Sequence, residues 1–553
     1  MNQLSSEGPA ARRPFSWRRH RAFLILLALA VPATIAFSWQ GVSASLGDDS
    51  MSYLTLARYL SPFSSDPLTA PWAKYHSHFP PLFPLLLVLT GGAQSLLAAH
   101  VMVGAWALAA LCLVYRYAAL RLESTFAGLA VAVIFLLTPS AWISILGVLS
   151  EPMYLTLSLA ALLYHDRCLD EDASRRDWIV FALLLAAAYL TRVAGIALLA
   201  AYGVRLAVRA IPRRKLPTPW AFLPLVLPVL LGGLWLALRP QPEMDNYRMT
   251  TQDILRAWLT NPKTAATSIE SLFGGWMASF TGDSGVGSSM RLAFGAAGFM
   301  GVAGALLGAR RNRLDSWYVL ASLAMLFLWV FPEDNARRLL YPVLALLLVH
   351  AAEALAGACA YVNAQRHKWR ALLVAGVFIA AMTMPASILV LEKSLDRAPL
   401  IQGFAYSAAS MTQYYTSVSL TRGRIDAAQN AAVLAGLESL DRITPPGSRV
   451  MWMRPEYVAI LGHRAGVPWY FGWDQAKLAR EIRTTGADYV IVARLFKSDL
   501  AGKLADAFAA FTLVRPPYLR ARLIIPNPIN GNQEFILLEV DRAALDQYIA
   551  KGS

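Results

Sequence analysis

Apolar runs of spanning length alternate with short polar connections from residue 22 to residue 391. A helix that crosses a bilayer needs about 20 mostly apolar residues. By that measure the runs near 22–39, 99–120, 126–149, 152–166, 178–191, 193–210, 220–238, 292–309, 316–331, 339–362 and 371–391 predict about eleven spans. The runs at 152–166 and 178–191 are short and need neighbouring helices to bury them. Beyond residue 391 the pattern changes. "AAQNAAVLAGLESLDRI" has the spacing of an amphipathic helix, "TPPG" is a turn and "SRVMWM" a strand. "DQAKLAREIRTTG" reads as a helix stopped by Gly486, followed by the strands "ADYVIVAR" and "EFILLEV". The expected fold is a polytopic α-helical membrane protein over residues 1–391 with a C-terminal soluble α/β domain over 392–553.

Charge orients the spans. The basic "ARRPFSWRRHR" precedes "AFLILLALAVPATIAFSW", which reads as an uncleaved signal anchor because it is long enough to span, although "VSA" offers small residues for cleavage. With that N-terminus inside, the cytoplasmic connections are "RYAALRLES", "HDRCLDEDASRRD", "IPRRK", "ARRNRLD" and "NAQRHKWR". All are basic or rich in Arg, as the positive-inside rule requires. An odd span number then puts the C-terminal domain outside, and the pattern is that of a bacterial inner membrane protein with a periplasmic domain. The first outer loop covers 40–97 and a second covers 239–291. "HFPPLFPLLLVLTGG" (78–92) is apolar, but its prolines oppose a regular helix at its start. Counting it as a span would reverse every later loop, so it is expected to be interfacial.

Composition agrees and excludes other classes. Hydrophobic residues make up 56% and charged residues 15%, against about 25% charged in soluble chains. The net charge of +15 does not imply nucleic acid, because the Lys and Arg fall between apolar runs instead of forming one basic face. Cys112, Cys168 and Cys359 show no spacing for a disulfide framework or a zinc site.

Charged groups inside a bilayer are costly and usually functional. Here they gather at the outer ends of the spans: Asp48, Asp49, Lys74, His76, His78, Glu151, Arg192, Glu333, Asp334, Arg337 and Arg338. Each has a plain reading. Asp48 or Asp49 suits a helix N-cap, Arg192 an interfacial anchor, Glu151 a helix start, and the arginines of "PEDNARR" a solvated ion-pair cluster. Their shared location adds a chemical one. Arg and Lys suit a phosphate, and a nearby carboxylate can take a proton from an attacking hydroxyl.

This arrangement resembles the GT-C class of multi-spanning glycosyltransferases that use polyprenyl-phosphate sugars, in the branch of the protein O-mannosyltransferases and the lipid A aminoarabinose transferase. The resemblance rests on the order of short motifs: Asp48-Asp49 with Tyr53 and Ala57-Arg58, a "PPL" segment, "LSEPMYL", "LTRVAG" and "NARRLLYPVLALLL". It implies Asp49 as the catalytic base with Asp48 beside it. Tyr53, Glu151, Arg192, Arg337 and Arg338 are implied around the substrate and its phosphate. The chain departs from the pattern before "PPL", where Phe79 stands instead of a lysine, leaving Lys74 or His78 as stand-ins. The implied reaction is inverting transfer from a polyprenyl-phosphate-linked sugar to a hydroxyl on a glycan, glycolipid or protein at the outer face. No metal or other cofactor is expected, although the paired aspartates leave a divalent ion open. The alternatives are a lipid transporter or flippase, for which no internal repeat is visible, a membrane anchor with a partner-binding outer domain, and a diphosphate-glycan ligase or polymerase.

Overall fold

The computed structural model describes residues 17–40, 48–63, 66–169, 173–213, 218–240, 246–282, 287–329, 333–361, 368–396, 399–404, 406–411, 414–415, 417, 419–469, 474–496, 499 and 516–552. Among them, seven helices are long and apolar enough to cross a membrane: His20–Ser38, Leu96–Arg121, Val193–Ile211, Pro219–Leu238, Ser288–Arg310, Asn335–Tyr361 and Trp369–Leu395. Thr125–Leu137 and Pro139–Leu146 bend by 57° and make an eighth if taken as one crossing. The bend lies at Thr138, which precedes a proline and is extended, as such residues tend to be.

The runs near 152–166, 178–191 and 316–331 are also helical, as Glu151–Cys168, Arg175–Thr191 and Leu314–Trp329. They differ from the seven in length or polarity. The second and third have 17 and 16 residues, and the first carries Glu151, Asp166 and Arg167. The multi-pass helical architecture is as expected, and the figure of about eleven is reached only by counting these three.

Two segments expected to lie outside the spans contain helices. Within 78–92 the helix Leu82–Leu89 starts directly after Pro80 and Pro81. At 8 residues it extends about 12 Å, too short to cross. It buries Phe83, Leu87 and Val88 and packs on the helix Asp48–Leu60. Within 239–291 lie Asn246–Thr260 and Thr264–Thr281. The latter buries Trp276, Met277 and Phe280 and packs on the long helix Glu333–Tyr361.

The C-terminal domain holds five strands, β1 (Arg449–Trp452), β2 (Ala465–Pro468), β3 (Tyr489–Ala493), β4 (Leu519–Pro526) and β5 (Gln533–Val540), in the order β2-β1-β3-β5-β4. β1 runs parallel to β2 and β3, whereas β5 is antiparallel to β3 and β4. β1, β3 and β5 are the three strands expected from sequence; β2 and β4 are additions. Side chains alternate between faces along a strand. Val450, Trp452, Tyr489, Ile491, Phe535 and Leu537 therefore enter one core, and Met451, Val490, Val492, Ile536 and Leu538 another.

The first of these cores does not end at the domain. It continues into Met51, Tyr53 and Leu54 of the Asp48–Leu60 helix, Phe83 and Leu87 of the short helix, and Met102 and Val103 of a spanning helix. The helix Pro455–Gly462 supplies Tyr457, Val458, Ile460 and Leu461 to the same core and packs on Asp48–Leu60. Sheet and these helix ends are thus one packed body.

Gly436, on the helix Leu420–Ile443, lies against the Phe535 ring so closely that a Cβ there would overlap it. Overpacking a filled core costs about 1–3 kcal/mol. Gly436→Leu is expected to lower the thermal unfolding midpoint in detergent. Because the core is shared, the transition should stay single, by tryptophan fluorescence and by aggregation of the spans.

Candidate active site

Three elements of distant sequence bring charged groups to one point. The helix Asp48–Leu60 opens with the paired aspartates, where carboxylates are favoured by the exposed N–H groups of the first turn. Glu151 opens Glu151–Cys168 in the same way, ahead of Pro152. Arg338 lies early in Glu333–Tyr361. A fourth group comes from a chain break between helices. Arg192 ends Arg175–Thr191 in an extended conformation and is followed by the 3-10 turn Val193–Gly195. The turn folds back so tightly that a Cβ on Gly195 would lie 2.5 Å from the Tyr189 Cα. The Tyr154 hydroxyl, one turn after Glu151, donates to the Ala194 carbonyl at 3.0 Å and braces that turn.

The four groups form a continuous chain of ion pairs. Arg192 Nη1 is 2.9 Å from Glu151 Oε2, and Arg338 Nη2 is 2.6 Å from Asp49 Oδ2. Arg338 Nε also donates to Glu151 Oε1. Glu151 is fully buried, with 0% side-chain exposure, so its charge is tolerable only between the two guanidiniums. Arg192 Nη1 donates to Ser150 Oγ at 3.0 Å, and Ser150 Oγ shares a hydrogen bond of 2.7 Å with the Tyr53 hydroxyl.

These groups edge a cavity of about 370 Å³ lined by Asp49, Tyr53, His78, Arg192, Asn335 and Arg338. Phe79, Pro80, Val193, Ala194, Met325, Trp329 and Leu339 complete its apolar wall. Burial pushes the Asp49 carboxyl up, but the Arg338 and Arg192 guanidiniums outweigh this and hold it below the usual carboxylate range. His76 is pushed down to about 4 by burial and by His78.

Asp49, Tyr53, His78, Glu151, Arg192 and Arg338 are brought together. Arg337 is not: it is buried, donates to the Gly282 carbonyl at 3.2 Å, and does not line the cavity. Lys74 sits in the last turn of Ala70–His76 with its ammonium over the Tyr75 ring, also outside the lining. Asp48 opens its helix, but its side chain, like those of Glu333 and Asp334, lies outside the described residues. Arg58 pairs with Asp66 and donates to the Ala93 carbonyl, tying its helix to the loops around it. Ser150, Asn335 and Trp329 were not singled out from sequence. Ser150 directly precedes Glu151 and Asn335 falls within "PEDNARR", but neither residue type carries a charge signal. Among the described residues no group of three or more His, Cys, Asp or Glu side chains could hold a metal ion.

Comparison with solved structures places this architecture. ArnT from Cupriavidus metallidurans bound to undecaprenyl phosphate superposes with a TM-score of 0.54 at 15% identity, over 95% of this chain and 99% of that one. The fold is shared with ArnT. The apo form of ArnT gives 0.53 at 12% identity over the same shares of each chain. The archaeal oligosaccharyltransferase AglB from Archaeoglobus fulgidus matches at 0.46 and 13% identity, over 90% of this chain and 71% of its own. No protein-family model matches the sequence, and no curated protein matches it. Near-complete coverage of ArnT, C-terminal domain included, fits the GT-C fold expected from the motifs, and a multi-pass membrane protein with it.

The buried carboxylate makes a stability prediction. Removing one partner of a buried ion pair costs about 3–5 kcal/mol. Glu151→Gln should lower the unfolding midpoint strongly in detergent, whereas exposed Arg442→Gln, whose contact with Asp441 is long, should leave it nearly unchanged.

Proposed function

We propose that this protein is an inverting glycosyltransferase that moves a hexose or pentose from a polyprenyl-phosphate donor to an acceptor hydroxyl at the outer membrane face. In this reading it sits in a bacterial inner membrane with the N-terminus cytoplasmic and the C-terminal domain periplasmic. The observation that carries it is the cavity at the helix ends, where the Asp49 carboxylate stands beside the Arg192 and Arg338 guanidiniums. A lipid-linked donor needs such a place, with its head group at the interface and its tail in lipid. ArnT, with the same fold, has been solved with undecaprenyl phosphate bound.

The chemistry follows from the groups present. Asp49 takes the proton of the acceptor hydroxyl as its oxygen bonds to the anomeric carbon. The bond from that carbon to the phosphate oxygen breaks, and the electron pair leaves with polyprenyl phosphate. Charge building on the phosphate is met by Arg192 and Arg338. The transition state has the oxocarbenium character general to glycosyl transfer. Tyr53 and Ser150 hold Arg192 in place. The reading invokes no metal, and Arg192 and Arg338 supply the hydrogen-bond donors to the phosphate. The acceptor, a glycan, glycolipid or protein, is taken to approach beside the outer domain, whose Pro455–Gly462 helix packs on the helix that carries Asp49.

The test is transfer of label from polyprenyl-phosphate sugars to a membrane extract. Losing a general base typically costs about 10²–10⁴-fold, so Asp49→Asn should fall by that much while still binding donor. Because Asp49 is held below the usual carboxylate range, its ionised form persists at acid pH. The limb it contributes to kcat/KM should therefore lie below the pH range in which an ordinary carboxylate titrates. Undiminished transfer by the Asn variant, or an Asp49-dependent limb near neutrality, would overturn the assignment.

A further inference from the structure

The charged side chains at the cavity that suits a phosphate balance one another. Arg192 and Arg338 contribute two positive charges, and Glu151 and Asp49, which they contact, contribute two negative ones. Among the described residues lining the cavity, the remaining group able to become cationic is His78. Its Nδ1 lies 3.0 Å from the Tyr75 carbonyl. A carbonyl only accepts, so Nδ1 carries a proton there, and Nε2 is the atom that takes up a second one.

We infer that His78 gains a proton when the donor phosphate enters the cavity, so that donor recognition is coupled to proton uptake at this histidine. The inference rests on the phosphate-binding reading of the cavity given above.

The surroundings leave His78 as the titrating group. Asp49, on the facing helix, attracts its positive form and stays ionised. His76, on the preceding helix, is pushed down to about 4 and stays neutral near pH 7. Arg192 and Tyr53 are held above their ordinary values and keep constant charge across the neutral range. Arg338 is paired with Asp49 and Glu151, and Lys74 lies on the same helix as His76. Arg239 donates to the Ser77 carbonyl at 3.2 Å. Trp235 donates to the Phe79 carbonyl at 3.2 Å, so the segment bearing His78 is pinned from both sides. Histidine ordinarily titrates near about pH 6.5. An anion in the cavity adds an attractive charge and raises the pH at which the second proton is lost. The coupling therefore favours binding at low pH and fades as pH rises through the value set in the complex. Between the free and bound values, affinity should fall by up to about tenfold per pH unit.

The test uses a polyprenyl methyl phosphodiester as probe, because a diester keeps a single charge across the range and exchanges no proton of its own. Isothermal calorimetry of the full-length protein in detergent, at pH 7 in two buffers of different ionisation enthalpy, counts the protons taken up. Quenching of Trp329, which lines the cavity, follows affinity from pH 5.5 to 8.5. Wild type should take up a measurable fraction of a proton and bind more weakly as pH rises. His78→Gln should bind weakly with no uptake. His78→Lys, permanently charged, should restore affinity and make it flat with pH, which also guards against a misfolded Gln variant. A diester that binds wild type without proton uptake, or with the same uptake in both variants, would overturn the inference and leave the transferase reading standing. A diester that fails to bind wild type at every pH would overturn both.

Discussion

The Glu151 carboxylate is the point on which the rest of the site depends. It has no exposure to solvent, and an isolated buried carboxylate costs several kcal/mol. Two guanidiniums make it tolerable, one from the end of a neighbouring helix and one 187 positions away in sequence. The site cannot form piecemeal, because neither arginine reaches Glu151 until its own helix is packed. The requirement also fixes where the arginines point, and so gives the cavity its shape. A second network lies far along the same long helix. Arg313 contacts both Asp315 and Glu353 there, and Arg121 contacts Asp315. Glu353 lies fifteen residues beyond Arg338, about 22 Å along the axis. Ion pairs therefore lock the bundle near both ends, with an apolar middle between them.

Much of this is legible in the sequence because a bilayer sorts residues by depth. Charges are absent from mid-span and gathered at helix ends, and that pattern alone puts Asp49, Glu151, Arg192 and Arg338 near one surface. Depth does not give rotation about a helix. Arg337 and Arg338 are adjacent, so about 100° separates them around the axis, and only Arg338 faces the cavity. Sequence leaves both as candidates because both faces of that turn meet polar groups. Ser150 escapes for a different reason. A small hydroxyl gains its role from the Tyr53 and Arg192 atoms that converge on it, and neither is near it in sequence.

The C-terminal domain shows the same limit. β1, β3 and β5 are apolar runs and read as strands. β4, "LRARLIIP", is mostly exposed at the sheet edge, with arginines and a proline of the kind that blunt edge strands. Those features hide it from a search for buried strands. The shared core between the sheet and the helix ends that meet it is not legible either. Apolar residues on an amphipathic helix show that something covers them, and only the fold shows that the cover is another part of the same chain.

That shared core has a consequence for the chemistry. Tyr53 sits in it at 1% exposure and reaches Ser150, so the helix bearing Asp49 is held from one side by the C-terminal domain and from the other by the ion-pair chain. Asp49 is thereby fixed against Arg338, which keeps its carboxylate a weak base. In the proposed transferase reading a donor phosphate is a multiply oxygenated partner for the same guanidinium. An Arg338 shared between that phosphate and Asp49 would depress the carboxylate less than the direct pair does, so in that reading the same contact that orders the site also sets the strength of its base.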